Sequence, residues 1–426
     1  MIGFIFIVFF IILLGFGFSM VLTYQFAFVL PMIFNNGAYN ISDIVSWLVN
    51  AAGKTTYVAI ALFVVSGNMM SKGKLTDKIF EFFQYFLGGF KSCIPVVAVL
   101  TAIFYGMISG SGVAVVAAVG SMVFPVLVEY KYDRAFFAAM LAAAGSLGQL
   151  IPPSSAILQY CAMANTSETD MFKVGAVIGF SCALALIIIT LVHCKKDVGD
   201  QEKIKCGYKE LKRKGFIKVF KDSIWGLLSP VIILGGIFTE YLSVVEAAAV
   251  SVVYAVFVSL FIYKSLDLKG IFMTFIDSVK NVASIAMMLA FAVAFTSLMD
   301  VFNGGEIISS QIKKVVTYPS VFIIGSIIIM SIGMMFMNPI GIIVPIVAPI
   351  ALSFGIDPIV YGAGMAGIVA IGSLTPPFGV SLYIMAPISN VEPIKIAKTV
   401  FPLWLLMTII ISLYMFLPGL SQWAYK

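Results

Sequence analysis

Apolar residues follow one another along this chain in blocks far longer than a soluble helix can bury. They cover about 1–34, 55–70, 92–128, 135–164 and 171–193, and after a polar interruption about 223–264, 282–301, 319–355, 358–390 and 396–419. Nothing charged precedes Asp43, and uncharged runs extend from Ser92 to Val128, Ala135 to Ser167, Val315 to Ile356 and Pro358 to Val391. A helix crossing the hydrocarbon core of a bilayer needs about 20 residues, each rising about 1.5 Å. Every such run therefore predicts two crossings, or one crossing and a helical hairpin, and the expected class is an all-α polytopic membrane protein. Met1 to Leu30 lacks the basic start and small-residue cleavage site of a secretory signal and is read as a retained transmembrane helix.

The polar interruption sets the topology. From Lys195 to Lys221 ten Lys or Arg residues stand against four acids, which by the positive-inside rule makes this loop cytoplasmic, a solvated linker between two apolar halves. The net charge of +6 is gathered there, so it argues for orientation in a membrane and against nucleic acid. Composition agrees, with 61% hydrophobic and 11% charged residues and a mean hydropathy of +1.08. Trp47, Trp225, Trp404 and Trp423 stand near run ends, where an interfacial belt would hold them.

The two halves are copies. Aligning Pro125 with Pro349 brings, without a gap, Asp133 onto Asp357, Ala139 onto Ala363, Ala142 onto Ala366, Gly148 onto Gly372, Leu150 onto Leu374 and Pro152-Pro153 onto Pro376-Pro377. Internal duplication is a common origin of secondary transporters. The sequence leaves open whether the copies are parallel or inverted. Asp133 and Asp357 each stand about 16 residues before a helix break and read as helix-start residues.

Each copy breaks helical geometry twice at membrane depth. The first has Ser109-Gly110-Ser111-Gly112 and the stretch Gly148 to Ser155; the second has Met337 to Gly341 and the stretch Gly372 to Gly379. Proline removes an amide donor and paired glycines favour helix weakly, so main-chain groups are left without partners. In hydrocarbon each costs several kcal/mol unless it is buried in protein or lines a wet cavity. Carbonyls freed at half-helix C-termini are hard ligands suited to sodium, and half-helix N-termini suit an anion. Ser109, Ser111, Ser154, Ser155, Asn338 and Thr375 add oxygens without charge.

Other chemistries find little support. One histidine, His193, permits no Ser/His/Asp or Cys/His triad, and HExxH and Walker A motifs are missing from the sequence. Cys93, Cys161, Cys182, Cys194 and Cys206 have no metal-like spacing and read as core residues. No transition metal and no cofactor is expected. The uncharged runs hold no acid for a proton relay; Glu240, Asp300 and Glu306 read as interfacial or paired, and Glu246 stands out because it leads into an apolar helix.

Four stretches resemble the large (M) subunit of TRAP (tripartite ATP-independent periplasmic) transporters: SGSGVAVVAAVG at Ser109–Gly120, GSLGQLIPPSS at Gly145–Ser155, GGIFTEYLSVVEAAAVSVVYA at Gly235–Ala255, and GIDPIVYG with IGSLTPPFGV at Gly355–Gly362 and Ile371–Val380. The resemblance implies an elevator-type fold with two structural repeats, two re-entrant hairpins and unwound transmembrane helices in the bacterial inner membrane. It implies import of a small organic anion, such as a C4-dicarboxylate, sialic acid or a sugar acid, with Na+ as coupling ion. A periplasmic substrate-binding protein and a small membrane (Q) subunit are the implied partners. One sodium region would use Ser109, Gly110, Ser111, Gly145, Gly148 and Pro152, the other Asn338, Gly341, Gly372, Thr375 and Pro376; substrate would meet Ser111, Ser154, Ser155 and Pro377. The implied division is scaffold at 1–90, a first repeat core at 91–193, the basic loop at 194–222, connecting helices at 223–314, a second core at 315–392 and a C-terminal helix at 393–426. Gly112, Val115, Val245, Asn338 and Ile368 depart from the family pattern and leave the substrate unnamed. A stand-alone carboxylate carrier, a channel and a membrane-embedded enzyme are the competing readings.

Overall fold

The computed structural model describes residues 13, 20–34, 39–72, 75–89, 93–335, 338–377 and 379–426. Most of the helix expected at Met1 to Leu30, and Met337 and Phe378 of the expected breaks, fall outside them. All secondary structure among the described residues is helical. It begins with α1 (Met20–Phe34), a bent pair α2 (Ile41–Ala52) and α3 (Thr55–Lys72), and an amphipathic α4 (Leu75–Leu87). A hairpin follows, α5 (Cys93–Ser109) and α6 (Gly112–Glu129), then a broken helix, α7 (Arg134–Ser146) and α8 (Ser155–Ala164), and the 26-residue α9 (Glu168–His193). The basic segment holds α10 (Gln201–Arg213). Beyond it run α11 (Phe216–Phe238), α12 (Val244–Phe257, prolonged by a π-helical turn to Ile262), α13 (Leu268–Val301) and α14 (Gly304–Val315). The second half closes with a hairpin, α15 (Pro319–Met334) and α16 (Ile340–Ser353), a broken helix, α17 (Pro358–Gly372) and α18 (Val380–Ser389), then α19 (Pro393–Phe416) and α20 (Gly419–Gln422).

The repeat seen in the sequence is a repeat of local geometry. Asp133 caps α7 by accepting from the Ala135 amide at 2.9 Å, and Asp357 caps α17 by accepting from Ile359 and Val360 at 3.0 and 3.2 Å. The turns before them match: Lys131 and Gly355 both take left-handed backbone, and the amides of Tyr132 and Ile356 donate to Leu127 and Ala351, each at 3.1 Å. Pro152-Pro153 and Pro376-Pro377 are both cis. Both second half-helices stop at a left-handed asparagine, Asn165 and Asn390. A short polar side chain tolerates that conformation.

The copies are inverted. The turn before α7 lies at the C-terminal end of α9, where Phe136 stacks on His193 at 3.5 Å and the Asp133 amide donates to Asp197 at 2.8 Å. The turn before α17 is held by α20 and the chain end, where Gln422 and Tyr425 donate to Asp357, and Gly362 near the start of α17 lies against Met171 near the N-terminal end of α9, where an added Cβ would stand 2.9 Å from the Met171 Cε. A helix of 26 residues is about 39 Å long. The equivalent turns thus face opposite sides of the bilayer, which the sequence alone could not decide.

Among the described residues five helices are long and apolar enough to cross a membrane, or up to seven if each bent pair counts as one span. One arm of each hairpin, α5 and α16, and the half-helices α8, α17 and α18 are shorter apolar helices of 10–17 residues, whereas the return arm α6 is itself one of the five. Around the hairpins, α12 lies on α3, α11 on α4, and α13 across α1, α2 and α3.

Three expectations change in part. The basic segment is more than a solvated linker: most of it is exposed, but it forms α10, whose Ile204 and Leu211 are buried, and Lys214 reaches Glu81 at 3.0 Å. Cys206 is exposed, whereas the other four cysteines are buried as expected. Glu246 leads into the apolar α12 as expected, but it does so as the closing member of a capping box with Ser243 and is exposed. Glu240 is likewise paired, with Lys173 at 3.3 Å.

Candidate functional site

The first break is assembled around the tip of the α5–α6 hairpin. Gly110 takes φ +61°, and a Cβ there would stand 2.6 Å from the Pro153 carbonyl oxygen, so only glycine lets the tip reach the double proline. Gly106 and Gly148 lie backbone to backbone, with an added Cβ on Gly106 only 2.6 Å from the Gly148 Cα; Gly112 stands against the Gly145 carbonyl and Ser146, and Gly145 against Val116. The structure thus brings Ser109, Gly110, Ser111, Gly145 and Gly148 to one place with Ser154 and Ser155. Pro152 and Pro153 are buried beside them.

Its hydrogen bonds are loose. Ser109 Oγ donates to the Ser111 carbonyl at 3.3 Å and accepts from the Ser111 amide at 3.4 Å, while Ser111 Oγ accepts from Ala114 at 3.5 Å. The Gly110 carbonyl accepts from the Ser155 amide at 3.3 Å and from Ser155 Oγ at 3.0 Å. All but the last exceed the 2.7–3.2 Å of a good N–H···O bond or the shorter range of an O–H donor. Only Ser154 is held tightly, donating to Gln149 at 2.5 Å while capping α8 at Ile157. The result is a buried cluster of uncharged oxygens with spare accepting capacity.

The second break satisfies itself. Thr375 Oγ1 donates to the Gly372 carbonyl at 2.6 Å, Ser381 Oγ to Ser373 Oγ at 3.0 Å, and the Ser381 amide to the Ser373 carbonyl at 3.2 Å. Met334, at the end of α15, fills the space beside Gly372, where an added Cβ would lie 2.6 Å from its Cγ. Pro376 and Pro377 are exposed. Asn338 and Gly341 look elsewhere. Asn338 Nδ2 donates to Gln159 Oε1 at 3.2 Å and its Oδ1 accepts from Ile340, while the Gly341 carbonyl accepts from the Tyr24 hydroxyl at 2.9 Å. The contacts among the described residues therefore bring Gly372, Thr375 and the double proline together, and tie Asn338 and Gly341 to α8 and α1 instead.

Sequence reasoning missed two participants. Gln159 is 3% exposed on α8, a polar side chain in an uncharged run that joins one repeat to the hairpin of the other. Its position inside an apolar block could have marked it. Gly67 of α3 meets the first hairpin tip, with an added Cβ 2.7 Å from the Ser109 Cα; no pattern in the sequence shows it, since the contact is purely tertiary. Beside α16 a polar cleft of about 520 Å³ opens against α13 and α14, lined among others by Thr296, Asp300, Asn303, Ser309 and Lys313. Among the described residues no three His, Cys, Asp or Glu side chains converge.

The chain is similar to known proteins over nearly its whole length. The family model of the DctM component of the tripartite ATP-independent periplasmic transporter matches residues 4–420. The chain is 31% identical over 409 residues to the C4-dicarboxylate TRAP transporter large permease protein DctM of Vibrio cholerae, covering 90% of this chain and 89% of that one. It is 29% identical over 372 residues to the isethionate TRAP transporter permease protein DctMQ of Oleidesulfovibrio alaskensis, covering 86% of this chain and 57% of that longer protein. The YdaH transporter of Alcanivorax borkumensis shares the fold, with a TM-score of 0.65 at 12% identity over 89% of this chain and 88% of that one. Extended over nearly the whole length, these matches place the chain in the DctM family, the large permease component of tripartite ATP-independent periplasmic transporters.

Proposed function

We propose that this multi-pass permease imports a small organic anion coupled to sodium, by movement of the two hairpins with their broken helices against the remaining scaffold. The observation that carries the reading is the first break: seven residues from three chain segments converge there, their oxygens uncharged and buried or half-buried, with the bonds of Ser109 and Ser111 all beyond ordinary hydrogen-bond length. A monovalent hard cation is well matched to such a set, because carbonyl and hydroxyl oxygens replace its water without the affinity a carboxylate cage would bring. Ser109, Gly110, Ser111, Gly145, Gly148 and Pro152 would hold it. Asn338, Gly341, Gly372, Thr375 and Pro376 would form a second sodium region only after the tight bonds of the second break and the tie of Gly341 to Tyr24 rearrange. An anion between the breaks would meet the N-terminal end of α8, capped by Ser154, together with Ser111, Ser155 and Pro377.

The names of the relatives support the substrate class, since a C4-dicarboxylate and isethionate share a small size and negative charge, one carrying carboxylates and the other a sulfonate. They also support delivery by a periplasmic binding protein and assembly with a small membrane subunit in the inner membrane. Proteoliposomes containing this subunit, with its small subunit and loaded binding protein added, should take up radiolabelled solute only under an inward sodium gradient. Equal uptake when potassium replaces sodium would overturn the coupling.

A further inference from the structure

The face of the molecule that carries the basic segment has a second feature, set apart from the hairpins and broken helices. Where α11 begins, beside the end of α4, lies a cleft of about 590 Å³ lined by Lys214, Phe216, Ile217, Lys218, Lys221 and Asp222. Lys218 and Lys221, three residues apart on α11, share one face of that helix, and Lys214 stands just before its cap. Lys214 is taken by Glu81 at 3.0 Å, and Lys78 stands 3.6 Å from Glu81 and 3.7 Å from Asp222. Those two acids are thus matched by two lysines. Lys218 and Lys221 are exposed and have no acidic partner among the described residues.

Apolar surface adjoins this unmatched charge. Phe86, Phe216 and Ile217 are 53%, 45% and 70% exposed. Phe216 packs edge-on against Phe86 at 5.9 Å and against Phe220 at 5.5 Å, making an aromatic ledge where α11 enters its apolar stretch. The cap residue of α11 is Gly215, which supplies no side-chain acceptor to the first amides of the helix. Positive charge, free amides and an apolar ledge in one cleft call for a ligand with an anionic head and a hydrocarbon tail.

We propose that this cleft binds an anionic phospholipid, its phosphodiester held by Lys218, Lys221 and the first amides of α11, and its acyl chain lying along Ile217 and the phenylalanine ledge. Charge complementarity selects the lipid over a zwitterionic one, and the ledge selects it over free phosphate. Purified subunit in detergent, titrated with phosphatidylglycerol, phosphatidylcholine or inorganic phosphate and read by native mass spectrometry, tests this. Phosphatidylglycerol should bind preferentially, and K218S/K221S should weaken it about thirtyfold, about fivefold for each lysine lost near a membrane surface. K218R/K221R should retain binding, which separates lost charge from lost fold, and K395S/K398S, removing two exposed lysines elsewhere, should leave it unchanged. Equal binding of phosphatidylcholine, displacement by inorganic phosphate, or unchanged affinity in K218S/K221S would each overturn the proposal. So would loss of the lipid when the small membrane subunit is bound, which would make the cleft a protein interface.

Discussion

At the first break the double proline is buried and the surrounding oxygens are loosely bonded, whereas at the second it is exposed and the same kind of oxygens are drawn into short bonds within their own turn. The caps, the left-handed turns before them and the cis double prolines correspond in the two copies, so shared ancestry does not explain the difference. The hairpin tips do. The first hairpin turns through glycine and serine at Gly110 and Ser111, small enough to lie against the broken helix; its return arm α6 starts at Gly112 and has 18 residues. The second return arm, α16, starts only at Ile340 and has 14 residues. The space beside Gly372 is filled by Met334 rather than by backbone. A main-chain site can form only where backbones meet without side chains between them, and in this conformation that condition holds at one break of the two.

The sharpest way to break the comparison is to add one methyl group on each side. Gly110→Ala places a Cβ 2.6 Å from the Pro153 carbonyl oxygen at a positive φ, and left-handed backbone alone costs an L-residue about 1–2 kcal/mol. Sodium-driven uptake should fall about tenfold or more, an equilibrium change of about 1.4 kcal/mol being tenfold, and sodium should no longer raise the melting temperature. Gly379→Ala also faces carbonyls, those of Ser373 and Thr375, but at 3.0 Å and with φ −55°. A shift of a few tenths of an ångström accommodates it, so the sodium-dependent melting shift should persist. Equal loss of that shift in both variants would mean that the breaks are equivalent in solution.

A smaller effect sharpens the link between the repeats. Gln159→Leu leaves Asn338 Nδ2 without its partner in a partly buried setting, a penalty of about 1 kcal/mol. Asn338→Leu strands Gln159 in return, and the double variant should recover part of the loss, with a coupling of about 0.5–3 kcal/mol. Thermal unfolding of the four proteins in one detergent measures it. Strict additivity would show that the 3.2 Å contact is incidental and that the second hairpin is not tethered to α8.

Much of this was legible before any coordinates. Long uncharged runs gave membrane helices because no other solvent accepts them, and the ungapped alignment of Asp133 with Asp357 gave the repeat because the cap and turn geometry admits few residues. The two caps and the helix breaks lie where proline, glycine and aspartate stand, since these residues act locally. What the sequence withheld depends on packing between distant segments. Inversion shows only in which end of α9 lies against the start of each broken helix, His193 against Phe136 of α7 and Met171 against Gly362 of α17. The burial in α10 comes from two apolar residues among many charges, and the tie of Gly341 to Tyr24 joins positions 317 residues apart. Gly67 at the hairpin tip belongs to the same class.

The gentlest difference between the copies concerns the turns before α7 and α17. In the first, the carboxyl of Asp133 caps its helix and its amide is tied to Asp197; in the second, the carboxyl of Asp357 also receives Gln422 and Tyr425 from the chain end. Partial burial pushes the Asp357 carboxyl up, but the hydrogen bonds from Tyr425, Gln422 and the amides of Val360 and Ile359 outweigh it and hold the group below the usual carboxylate range. A carboxyl more acidic in the folded state contributes stability that is fully present above its unfolded value and is lost as pH falls through the folded one. Acidification should therefore loosen the C-terminal tail from α17, and Tyr425→Phe with Gln422→Ala should flatten that part of the stability profile. Melting temperature followed from neutral to strongly acidic pH in wild type and double variant reads it directly. Parallel profiles would show that the tail does not stabilise the ionised carboxyl.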